Sequence, residues 1–303
     1  MMIVGGVLLI VVAMVIAGAN SHRPTPAQVA AAEAASQKEF AMCMQGQFSG
    51  SELVGPGFQL PPGYATREEF CRDATAPQVD TGLQLRDLAM LLEHTSTFVV
   101  LLGVALAASL GGADWSAGTM TTLLTWEPRR VRVLLIRGLV VALVVAFVTF
   151  LLQAVLLGAF ALAVALRGTS LGAPPGLLST AVLTGLRVST VAVGFGLVAL
   201  AIATIGRSTV AALGVLFGYL VLFEGVIAGL RPSIQDRLLV RAGGVIVSRQ
   251  PIYDQSHESF SSIGPSSSPP VLLGLTEAWI VAAVYVVALM VLALLVFRAR
   301  DVN

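Results

Sequence analysis

The residues able to do chemistry are few in this sequence, and their spacing excludes more than it suggests. A nucleotide-hydrolysing loop of the form G-x-x-x-x-G-K-[ST] needs its lysine to reach the phosphates. The one lysine, Lys38, stands in no such loop, so the chain has no ATP site of this standard kind. His22, His94 and His257 form no H-E-x-x-H and no spaced ligand set with Cys43 and Cys71, so no metal is expected. Gly168-Thr169-Ser170-Leu171-Gly172 matches G-x-S-x-G, but a nucleophile elbow joins a strand to a helix, whereas here the motif lies between two apolar runs beside Ala173-Pro174-Pro175-Gly176. No catalytic residue is assigned. What remains is a set of ionisable groups inside apolar runs: Arg187, Glu224 and Glu277.

The elements that must hold these groups follow from composition. The chain of 303 residues is 56% hydrophobic and 12% charged, against roughly 25% charged in ordinary soluble domains. A helix crosses a bilayer core with about 20 mostly apolar residues, because every backbone N–H and C=O must be satisfied within the segment. Stretches 2–19, 95–111, 138–166, 177–205, 209–230 and 271–297 meet that requirement. The sequence therefore predicts an all-α membrane protein, a bundle of six transmembrane helices. Ala17-Gly18-Ala19 at the end of the first stretch could serve as a cleavage site, but no Lys or Arg precedes the apolar run, which favours a retained span.

Arginines in short loops mark the cytoplasmic side. Arg129, Arg130, Arg132 and Arg137 lie between the second and third spans, Arg207 follows the fourth, and Arg298 and Arg300 follow the sixth. All fall on one side, which predicts a multi-pass protein of the cell membrane with both termini cytoplasmic. Arg231, Arg237, Arg241 and Arg249 fall on the other side, in a loop long enough for the rule to weaken. The expected organisation is span 1 over 1–19, an extracytoplasmic segment over 20–94, and spans 2–5 over 95–230 with a cytoplasmic segment at 112–137. An extracytoplasmic loop over 231–270 follows, then span 6 with its tail over 271–303.

Segment 20–94 contains both cysteines. In an oxidising compartment a Cys43–Cys71 bridge would contribute roughly 3–4 kcal/mol by closing its loop; the alternative is two free buried thiols. Pro24 and Pro26 ahead of an Ala-rich run predict a helix toward Cys43, and Ser261–Pro270 reads as a flexible or extended connector.

Ionisable side chains inside a span are costly, roughly 2.5–3.5 kcal/mol at the helix centre. Arg187 is a candidate partner for Glu224 or Glu277; alternatively it snorkels outward while the glutamates reach the interface. Gly214 with Gly218 and Gly225 with Gly229 form G-x-x-x-G pairs, whose expected use is close packing within one bundle.

The stretch from Gly112 to Gly138, GADWSAGTMTTLLTWEPRRVRVLLIRG, interrupts the apolar sequence. Gly118–Trp126 suits a short helix, which Glu127-Pro128 ends because the residue before proline leaves the α region. A second helix starts at Arg129. Val131, Leu134, Leu135 and Gly138 share one face and Arg129, Arg130 and Arg137 lie broadly opposite, the pattern of an interfacial helix feeding the third span. Its guanidiniums would meet lipid headgroups or a partner protein; periodicity alone favours the plainer use, arginines that hold the loop inside.

This stretch resembles the cytoplasmic signature of ABC-2-type transporter permeases, membrane subunits of one class of ATP-binding-cassette transporters. The elements that match are Asp114, Gly118-Thr119, Leu123-Leu124, Pro128, Arg129 or Arg130, and Arg137. The proline lies one position later than in the commonest form, and the last basic residue is arginine in place of lysine. Phe297-Arg298-x-Arg300-Asp301 after the last span is similar to how such permeases end. The specific motifs occupy about 35 residues, while segment 20–94 has no counterpart. The resemblance implies that Asp114, Gly118, Thr119, Leu123, Leu124, Pro128, Arg129, Arg130 and Arg137 form a segment coupled to a separate ABC ATPase subunit. That subunit would bind ATP and Mg. It further implies a second permease subunit, identical or related, and export of an amphipathic substrate across the lipid bilayer; nucleic acid is not an expected partner. Two other classes are compatible with the composition. One is an ion-coupled secondary transporter using Arg187, Glu224 and Glu277, and the other a membrane-embedded sensor or scaffold.

Overall fold

A computed structural model describes residues 23–45, 66–77, 85, 88–119, 130–167, 176–230, 232–253 and 271–299. Five described helices are long and apolar enough to cross a membrane, within Met90–Ala113, Val131–Leu166, Leu177–Gly206, Thr209–Val226 and Leu275–Ala299. The expectation of an all-α membrane protein therefore holds at that level. The predicted first span, 2–19, lies outside the described residues.

In chain order the elements are α1 (Pro26–Met44), α2 (Arg67–Ala74), α3 (Leu88–Ser116), α4 (Arg130–Arg167), α5 (Leu177–Gly206) and α6 (Thr209–Tyr219). The last continues through a π-helical stretch, Leu220–Ile227, and a last turn, Ala228–Leu230. A 3-10 turn, Pro232–Arg237, leads to α7 (Leu239–Ser248); β1 (Ile252–Tyr253) and β2 (Val271–Leu273) precede α8 (Leu275–Ala299). The described residues divide into two compact units, one within Met1–Leu91 and Val155–Ala181, the other within Leu92–Ala154 and Val182–Asn303.

In the first unit, α1 starts as its sequence dictates. Thr25 and Gln28 form a reciprocal capping box, and Pro26 occupies the first turn, where its missing N–H costs nothing. Thr66 caps α2 by accepting from the Glu69 N–H. The side chain of Arg23 donates to the Leu166 carbonyl at the C-terminal end of α4, a favourable place for a cation. Apolar burial in this pair of helices is slight, Cys43 being the only residue of α1 that is buried. What joins them is covalent and polar: a disulfide links Cys43 to Cys71, and Ser36 donates to the Thr75 carbonyl. With the cysteines 28 positions apart in sequence, the loop-closure estimate gives about 3–4 kcal/mol. Cys43→Ser is expected to lose α1–α2 docking, read as faster hydrogen exchange over 26–44 and 67–74, with no change in the exchange of α5. Equal exchange in the variant and the parent would refute a stabilising role.

The second unit is built on close approach. Its core joins Val104, Ala107 and Ala108 of α3, Val141 and Val145 of α4, and Ala192, Ala199, Leu200 and Ala203 of α5. Small residues let the backbones meet, since apolar side chains gain little by leaving lipid for protein. A Cβ at Gly103 would stand 3.1 Å from Thr149 Cγ2, and one at Gly196 would stand 3.2 Å from Ala107 Cβ. The hydroxyls in this core fold back on their own helices: Thr149 donates to the Val145 carbonyl, Ser189 to Gly185 and Thr204 to Leu200. Gly214 and Gly218 are a correction to expectation. Among the described residues no atom lies within 4 Å of a Cβ placed at either, so their spacing serves no packing among those residues.

The arginine-bearing helix and the third span prove to be one continuous helix of 38 residues, α4. The loop over 231–270 also holds more structure than its composition suggested. Its described part contains α7, ten residues with Leu239, Ala242, Gly243, Val245, Ile246 and Val247 buried. Antiparallel β1 and β2 tie the exit of α7 to the entry of α8, pairing Ile252 with Leu273 and Tyr253 with Val271.

Candidate functional site

The candidate coupling segment joins α3 to α4. Asp114 lies on the last turn of α3, and the helix ends where Gly118 takes φ +70, a conformation open to glycine at no steric cost. Thr119 follows. Leu123, Leu124, Pro128 and Arg129 lie outside the described residues, as does most of the short helix expected over 118–126. Arg130 opens α4.

Arg137 is the signature residue whose contacts are clearest. Its guanidinium donates to the carbonyls of Leu110 and Gly111, at 2.8 and 2.9 Å. These carbonyls lie one turn before the four that α3 leaves without an intrahelical partner at its end, so each accepts from Arg137 on its second lone pair. The residue at the foot of α4 thereby fastens the end of α3. A second tie stands at the same end of the unit. Arg207, held at φ 52 between α5 and α6, lies over the Trp115 ring at 5.0 Å. Trp115 meets Phe297 edge to face at 6.2 Å, and Phe297 packs in a cluster with Leu134, Ala201 and Ala293. Gly112 touches the backbone of Thr209 so closely that α3 and the start of α6 have no room for a side chain between them. Residues of α3, α4, α5, α6 and α8 thus converge beside the ends of α3 and α4 that flank the candidate coupling segment.

The three intramembrane ionisable residues do not meet as a set. Glu224 accepts from the Val240 N–H at 2.7 Å and from the Tyr219 hydroxyl at 3.2 Å, while the Leu239 N–H donates to that hydroxyl at 3.1 Å. The N-cap residue of α7, Leu238, offers no side-chain acceptor. Glu224 and Tyr219, 15 and 20 residues upstream of the start of α7, supply the cap that the local sequence lacks. A carboxylate at a helix N-terminus also complements the positive end of its dipole. Tyr285 completes this corner by donating to the Arg237 carbonyl and packing on the Tyr219 ring. Glu277 accepts from the Gly274 N–H at 2.9 Å, at the start of its own helix.

Arg187 forms no ion pair with either glutamate, correcting the pairing considered from sequence: each carboxylate is already committed to backbone N–H groups at a helix start. The charges acting on Arg187 are those of Arg249 and Glu93. The role of Glu224 was missed because its partner is a ten-residue apolar run, Leu238–Val247, too short to be counted as a span. Its length was the available signal, since apolar runs of 10–14 residues fit buried or re-entrant helices.

One further polar side chain is notable. Gln153, midway along α4 and 3% exposed, has neither its amide oxygen nor its amide nitrogen bonded among the described residues. The described residues contain no group of three or more His, Cys, Asp or Glu able to hold a metal. His94 is exposed on α3, whereas His22, His257 and the Gly168–Gly172 motif lie outside the described residues. No family model, no curated protein and no solved structure matches this chain.

Proposed function

We propose that this chain is the membrane-spanning permease subunit of an ABC-2-type ABC transporter, an exporter working with a separate ATPase subunit and a second permease subunit. The observation that carries this reading is the double hydrogen bond from Arg137 to the Leu110 and Gly111 carbonyls. It fastens together the two helices that flank the signature-like segment, so a push on that segment would move α3 and α4 as one. The Arg207–Trp115–Phe297 stack at the same end offers a route to α5 and α8. A coupling segment needs such a rigid base, because a displacement reaches a distant path only through packed elements with discrete arrangements. Against an ion-coupled carrier stands the engagement of Glu224 and Glu277 with backbone N–H groups.

Two experiments test the reading. Purification in mild detergent from the native membrane should bring down a nucleotide-binding ATPase with this chain; a chain that purifies with none counts against it. In proteoliposomes with that ATPase, Arg129→Glu with Arg130→Glu should lower substrate-stimulated ATP turnover about tenfold and leave the thermal transition of the permease in place. Unchanged stimulation would remove both arginines from the coupling path.

A further inference from the structure

The second unit contains a cleft of about 310 Å³ between α5, α7 and α8, lined by Val191, Phe195, Gly243, Ile246, Trp279 and Val286 among others. Almost all of its wall is apolar. A space that would hold several waters but offers them so few polar partners is poorly suited to water and well suited to hydrocarbon. Two of its walls, α5 and α8, are helices long and apolar enough to cross a membrane, and beside such helices the available hydrocarbon is the acyl chain of a lipid.

The rim gives the cleft a chemical preference. Val191 lies four residues after Arg187 on α5, one helical turn along the same face, and Ile246 lies three residues before Arg249 at the end of α7. Arg187 and Arg249 are close enough to act on each other electrostatically. Among the described residues neither guanidinium donates a hydrogen bond or forms an ion pair. Two like charges thus flank residues that line the apolar cleft, and neither is held in an ion pair among the described residues. Glu93, which also acts on Arg187, leaves one positive charge in excess, the complement of a single phosphodiester. Arg249 is held there by its backbone: it ends α7 at φ 60, with its N–H bonded to the Val245 carbonyl.

We propose that this cleft binds an anionic phospholipid, one acyl chain lying between α5, α7 and α8 and the phosphate between Arg187 and Arg249. Guanidinium groups suit this role because their planar donors match phosphate oxygens. The site is independent of whether the chain couples to an ATPase.

The test uses the full chain, stripped of lipid in detergent, with dioleoyl phosphatidylglycerol, dioleoyl phosphatidylcholine and glycerol 3-phosphate as probes, read by native mass spectrometry and thermal shift. Phosphatidylglycerol is expected to bind about tenfold more tightly than phosphatidylcholine, since each arginine near a surface favours an anionic lipid measurably. Arg187→Gln with Arg249→Gln should bring the two lipids to the same affinity without lowering the lipid-free thermal transition. Gly194→Leu, whose added side chain grows into the cleft beside Val286, should weaken both lipids. Equal binding of the two lipids to the parent chain would overturn the proposal, as would a preference that survives the double arginine variant. Glycerol 3-phosphate binding as tightly as phosphatidylglycerol would reduce the site to a surface anion contact and equally refute it.

Discussion

Gly112→Ala is expected to destabilise the second unit by about 3 kcal/mol, the upper end of the usual cost of overpacking. The added methyl would fall on the N, Oγ1 and Cα atoms of Thr209, and only the hydroxyl can rotate away. The backbone atoms cannot move without shifting α6 relative to α3. Scanning fluorimetry in detergent would read the loss as a lowered transition. Gly158→Ala is the matched control, since among the described residues no atom lies within 4 Å of its Cβ position. There the same change should be neutral or stabilising, because alanine loses less backbone freedom in a helix. Equal transitions for the two variants would mean that α3 and α6 do not meet at Gly112.

Removing the cap of α7 should have the next largest effect. Glu224→Ala leaves the half-buried Val240 N–H without its acceptor, at a cost of about 1 kcal/mol, the low end for an unsatisfied donor. Glu224→Gln keeps an acceptor oxygen and should recover most of that loss. Hydrogen exchange over 239–248 is the direct readout, expected to be fast in the alanine variant and near parental in the glutamine one. The pair also separates roles. A glutamate that carried a coupling ion would fail as glutamine, whereas a glutamate that caps a helix tolerates it. Parental exchange in Glu224→Ala would show that α7 holds without this carboxylate.

What the sequence revealed and what it hid divide along a physical line. Spans were legible because crossing hydrocarbon imposes a length and a composition, both one-dimensional properties, and α4 and α5 occupy the expected stretches with small shifts. The α7 helix was hidden because a buried half-length helix need satisfy no such length rule. Its hydrophobicity was visible, but its cap is supplied by residues 15 and 20 positions upstream of its start. The same separation explains Arg187. From sequence, opposite charges at similar depth suggested a pair. In the folded chain backbone N–H groups claimed both carboxylates, and the charges acting on Arg187 are those of Arg249 and Glu93 instead. Arg137 is a mixed case. Its position at the foot of α4 was legible through a resemblance, while its acceptors on α3 belong to a contact across 26 and 27 residues that no local pattern encodes.

The buried start of α7 also constrains the order in which the protein is made. A ten-residue apolar segment has too little hydrocarbon-spanning length to enter a bilayer by itself. Its first N–H groups have acceptors only after the helix containing Tyr219 and Glu224 is in place, and one wall of its pocket is α8, which is synthesised later. The contacts of α7 are therefore completed only after α8 has been made, so a segment from the middle of the sequence closes after one that follows it.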